Sequence, residues 1–126
     1  MGHELVDAAE EPPLVDFLRG VLHGQIRRVE TKVLVRGGSE IGTAVVVVNS
    51  RRRQSEQGYL ADTVAGARAA GAARPERIRI AGSEGALFDA PDGVFATALV
   101  GPCASVFLTD GDEARLLRTA NLLHPP

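Results

Sequence analysis

VFATALVGPCASVFLTD, residues 94–110, holds two apolar runs on either side of Gly101, Pro102 and Cys103. Each run is short and rich in β-branched and aromatic residues, and the break between them is made of turn-formers. The stretch predicts two antiparallel strands joined by a tight connection. Proline after glycine fixes the backbone of that connection. Cys103 is the only cysteine in the 126 residues. A thiol reacts as the thiolate, and the hairpin supplies no neighbouring His, Lys or Arg to stabilise one. The turn is therefore the point of the stretch, with Cys103 as a small semi-buried side chain where the second strand begins. A lone cysteine makes no intramolecular disulfide and no metal-ligand cluster.

Downstream, Asp110, Gly111, Asp112 and Glu113 supply a cap and an acidic first turn for a final helix. Leu116, Leu117, Ala120 and Leu123 form its apolar face. Upstream, Arg77-Ile78-Arg79-Ile80 alternates as a strand does, and Asp92-Gly93 marks another turn, so this block reads as a meander of three strands. A second helix is expected over 55–73, with Leu60, Val64, Ala67 and Gly71 along one stripe and Pro75 ending it.

Before that helix, TKVLVRGG and IGTAVVVVNS are β-branched runs joined by Gly37, Gly38, Ser39 and Glu40, the pattern of a β-hairpin. Val45 to Val48 are apolar without alternation, as in a strand covered on both faces. Asn49, Ser50 and the basic run Arg51-Arg52-Arg53 end it. The first periodic segment opens at Pro12-Pro13, and Leu14, Phe17, Leu18, Val21, Leu22, Ile26 and Val29 fall at helical spacing. A helix over 13–29 follows. The whole is an α+β sandwich of order α-β-β-α-β-β-β-α, a mostly antiparallel sheet with flanking helices.

Composition bounds the rest. Lys and Arg number 14 against 16 Asp and Glu, a formal charge of −2, without the basic excess of a nucleic-acid binder. No apolar stretch approaches a membrane span. The opening MGHELVDAAEEPP is acidic and lacks the regions of a secretory signal. It reads as a flexible lead-in over 1–11, before one domain over 12–124 of a cytoplasmic protein.

Ser83 in AGSEG and Ser39 in GGSEI each lack one glycine of a nucleophile elbow and read as hairpin-turn residues. No phosphate loop or dinucleotide fingerprint is present. His23 sits on a helix of mixed character, and the carboxylates at 110, 112 and 113 do not have the spacing of a calcium loop. No catalytic residue, cofactor site or metal site is assigned.

LADTVAGARAAGAA and VFATALVGPCASVFLTDGDEARLL, with the order of elements, resemble the Roadblock/LC7 family. The first is similar to that family's small-residue second helix. The second resembles its last hairpin, tight turn, Asp-containing strand end and final helix. The resemblance implies a non-enzymatic regulator that forms a homodimer, with sheets joined edge to edge and second helices side by side. It further implies a small Ras-like GTPase as partner, sometimes with a sensor-kinase-like protein, in a bacterium. The Ala, Gly and Arg content suits a high-GC bacterial genome. Tyr59, Leu60, Val64 and Arg68 are then expected at the self-interface, and Arg51, Arg52 and Arg53 on the partner surface. Two alternatives stand beside this reading. One is a small-ligand sensor of profilin-like or PAS-like architecture, for which four Phe, one Tyr and no Trp offer few aromatic walls. The other is an enzyme using Cys103, His23 or Ser83.

Overall fold

The computed structural model describes residues 3–7, 15–16, 19, 26–36, 39–51, 53–69, 73–90 and 93–123. Among the described residues, seven strands form one antiparallel sheet. They are β1 (His3–Asp7), β2 (Ile26–Arg36), β3 (Ser39–Ser50), β4 (Ala73–Ile80), β5 (Ser83–Ala90), β6 (Gly93–Gly101) and β7 (Ala104–Asp110). Two helices have described bounds, α1 (Glu56–Ala69) and α2 (Glu113–Leu122). Val15, Asp16 and Arg19 are also helical. In space the strands run β1-β2-β3-β7-β6-β5-β4. Two meanders therefore meet where β3 pairs with β7.

The Val45–Val48 run explains that meeting. Val46 stands opposite Phe107 and Val45 opposite Leu108 at the centre of the sheet. Val45, Val46 and Val48 are fully buried, so both faces of β3 are covered, as the unbroken apolar run predicts. On one face Val45, Leu87, Ala96, Ala98, Val106 and Leu108 pack with Leu116 and Ala120 of α2. On the other, Val46, Val48 and Phe107 pack with Val15 and with Ile26, Val29 and Phe95. Small residues on β6 leave room for the helix above them.

The last hairpin matches its reading: Gly101 stands opposite Ala104, and Pro102-Cys103 is the connection. The final helix does so too, with Asp112 as N-cap accepting from the Arg115 N–H at 3.2 Å. Three expectations are corrected. The third block has four strands, not three. Ala81 (φ 52°) and Gly82 (φ 81°) form a two-residue turn with both φ positive. That turn folds Ser83–Ala90 back on β4 as a strand of its own. Pro75 lies within β4, at the sheet edge and beside a register shift, where a missing N–H costs no ladder bond.

The first helix does not reach Val29, because β2 begins at Ile26. A register shift between Ile26 and Arg28 sets Ile26 opposite Ser50 and Val29 opposite Val48. One extra residue in the strand brings two apolar side chains three apart to the same face. A bulged strand thus has the spacing of a helix. Residues 20–25 lie outside the described residues. Finally, His3–Asp7 form an edge strand on β2, with Asp7 opposite Lys32 and an ion pair of 3.2 Å between them, where a flexible lead-in was expected.

Candidate functional site

The β6–β7 turn does more than connect strands. The carbonyl of Cys103 accepts the Ser50 N–H at 2.7 Å, and that of Pro102 accepts the Gln54 N–H at 2.8 Å. Two backbone bonds therefore clamp the β3–α1 loop, which carries Arg51 and Arg53, onto the turn. Ser55 caps the helix that follows, its hydroxyl oxygen accepting the Gly58 N–H at 3.1 Å. Arg27, Arg28, Asn49, Ser50 and Cys103 line an open cleft of about 430 Å3 beside this clamp. Arg28 pairs with Glu30. Arg27, Arg51 and Arg53 are exposed and make no ion pair among the described residues. One end of the sheet is thus strongly basic although the whole chain carries a charge of −2.

Cys103 is exposed, not semi-buried. It sits in the two-residue turn between β6 and β7. Arginines that are remote in sequence now share a cleft with it.

Helix α1 has two distinct faces. Tyr59 is buried against its own sheet, with its phenol oxygen 2.5 Å from Thr97 Oγ1. Thr97 donates its single proton to the Val106 carbonyl at 2.8 Å, so Tyr59 is the donor to Thr97. Burial raises the Tyr59 pKa above its ordinary value, and hydrogen bonds with Thr97, Ser105 and Thr63 only partly offset this. Of the four residues expected at the self-interface, Tyr59 is buried, Leu60 and Val64 are half-buried and Arg68 is exposed. The opposite face consists of Gly58, Ala61, Asp62, Ala65 and Ala69, all exposed.

At the other end of the sheet, Asp110 is buried and collects four bonds. Arg115 grips it with two, Nε to Oδ2 at 2.7 Å and Nη2 to Oδ1 at 2.6 Å. Thr43 Oγ1 donates to Oδ2, and the Asp112 N–H to Oδ1 at 2.9 Å. Burial acts to raise the Asp110 pKa, but the bonds from Arg115, Thr43 and Asp112 outweigh it and hold the group below its ordinary value. This cluster ties the start of α2 to β3 and β7, and its groups are satisfied by one another. A cleft of about 350 Å3 nearby is lined by Pro75, Glu76, Leu87, Phe88, Asp89 and Glu113. Among the described residues, no three His, Cys, Asp or Glu side chains are grouped to hold a metal ion.

Sequence reading singled out Arg51 and Arg53 but missed Arg27 and Arg28, which the register of β2 against β3 brings beside them. Arg52, His23 and His124 lie outside the described residues. Ser83 opens β5 directly after the Ala81-Gly82 turn. Among the described residues, no helix is long and apolar enough to cross a membrane. Compared with known protein families, curated proteins and solved structures, the chain finds no match.

Proposed function

We propose that this chain is a non-enzymatic regulator or scaffold of bacterial signalling that acts as a homodimer and binds a small Ras-like GTPase. The observation that carries the reading is the outer face of α1. A helix that already buries Tyr59 against its own sheet presents a second face of Ala61, Ala65 and Ala69, with Asp62 and Arg68 on its two flanks. Neither charge has an ion partner among the described residues.

Side chains this small let two helix backbones approach closely. An antiparallel crossing of two copies centred on Ala65 sets Ala61 level with Ala69 of the second copy. The same crossing sets Asp62 level with Arg68, twice over by the two-fold symmetry. The self-interface so defined uses the outer stripe in place of Tyr59, and the basic end of the sheet stays open for the GTPase.

The test is absolute molar mass by light scattering across a dilution series of the full chain. The expected result is a dimer that Ala65→Glu converts to a monomer. A monomer at every concentration would overturn the proposed assembly.

A further inference from the structure

We infer that the cleft beside the Pro102-Cys103 turn is a docking surface for an acidic polypeptide segment of a partner protein. The inference deepens the proposed function and rests on it, since it gives the chemistry of the surface by which the partner is held.

Three features of the cleft support this occupant. The first is charge. Arg27 and Arg28, from the bulged start of β2, line the cleft, and the loop after β3, bonded to the same turn, carries the exposed Arg51 and Arg53. Arg28 alone has a carboxylate neighbour among the described residues, Glu30. Several guanidiniums spread over two segments match several spaced carboxylates, and arginine binds a carboxylate with two parallel hydrogen bonds.

The second is the fate of the backbone donors. A compact phosphate site is built from converging N–H groups of a loop or a helix start. Here the Ser50 and Gln54 N–H groups are spent on the carbonyls of Cys103 and Pro102. The Gly58 N–H at the start of α1 is spent on Ser55. Glu56, in the first turn, adds a negative charge and accepts the Glu84 N–H at 2.7 Å. These three donors are taken, whereas the Arg27, Arg51 and Arg53 guanidiniums have no ion partner among the described residues.

The third is rigidity. The loop that carries Arg51 and Arg53 is clamped at both ends, at Ser50 and at Gln54, to a two-residue turn. The two ends of that loop are thus fixed beside the cleft before a partner arrives, which lowers the ordering cost of binding. Asn49, also lining the cleft, adds an uncharged donor to the array.

The experiment measures anisotropy of a rhodamine-labelled peptide of alternating Glu and Gly, titrated with the full chain. A matched Gln-Gly peptide and inorganic pyrophosphate serve as the other arms. The expected result is binding of the Glu peptide only, weakened by salt as screening shortens the range of the charges. Arg51→Glu with Arg53→Glu, and separately Arg27→Glu, should each weaken it about tenfold. All are exposed positions, and unchanged circular dichroism of the variants would show that the fold is intact.

Absence of binding, equal binding by the charge-reversed variants, or displacement by pyrophosphate more tightly than by peptide would each overturn the inference. So would a salt-sensitive rise in molar mass that the Arg51→Glu/Arg53→Glu variant abolishes, which would assign the surface to a second copy. Light scattering on the same samples separates the two readings. A dimer that ignores the peptide counts against the docking surface alone, and a monomer that binds it counts against the dimer alone.

Discussion

Thr43 Oγ1 donates a hydrogen bond to Asp110 Oδ2 across 67 residues of chain. Both side chains are buried, and Arg115 closes the arrangement from α2 with two further bonds. The carboxylate is thus the point where β3, β7 and the last helix are held together. A carboxyl group whose pKa falls on folding contributes stability above its unfolded value, about 3.9, and loses it as pH falls through the folded value. Asp110→Asn should cost about 2 kcal/mol at neutral pH, because Thr43 and Arg115 lose a charged acceptor. It should also flatten the fall in stability below about pH 4. Urea unfolding of both proteins at neutral and acid pH checks this.

Tyr59 is the sole tyrosine of a chain without tryptophan, so its titration is directly visible in the ultraviolet. Its midpoint should lie above the ordinary value of about 10, because burial disfavours the phenolate. A group whose pKa is raised on folding stabilises fully below its unfolded value. That contribution is lost as pH rises through the folded value. Stability should therefore fall on the alkaline side of pH ~10, and Tyr59→Phe should remove that component while costing about 1 kcal/mol at neutral pH. A tyrosinate midpoint at the ordinary value would mean that α1 does not seat Tyr59 on the sheet.

Glycines differ by what surrounds them. A Cβ at Gly66 would meet nothing within 4 Å, so Gly66→Ala within α1 should raise stability by about 0.5–1 kcal/mol. Gly93 has φ +148°, and a Cβ there would lie 2.2 Å from the Asp110 carbonyl oxygen. Gly93→Ala should therefore destabilise by more than about 2 kcal/mol. Thermal melts of the two variants should shift in opposite directions.

The proposed α1 pairing predicts a charge swap. Asp62→Arg alone should weaken the dimer by setting like charges level across the crossing, and so should Arg68→Asp alone. Combining the two should restore it. Dissociation constants from dilution light scattering read all three, and a double variant no better than the singles would count against the antiparallel crossing.

Much of this protein follows from local chemistry in its sequence. The Gly101-Pro102-Cys103 turn, the unbroken apolar run of Val45–Val48 and the Asp112 cap are all features of neighbours within a few residues. Composition and short-range spacing therefore determine them. Tertiary structure decided what depends on register. The bulge at the start of β2 gives a strand the spacing of a helix, and no window of the sequence reveals which residue will be unpaired. The Ala81-Gly82 turn adds a strand because a non-glycine residue accepts a positive φ once β4 and β5 pair around it. Tyr59 looks like an outward residue until Thr97 and Ser105, far along the chain, supply partners for its hydroxyl. The basic cleft has the same origin. Arg27 and Arg51 stand 24 positions apart, and only the pairing of β2 with β3, and of β3 with β7, brings them to one end of the sheet beside Cys103.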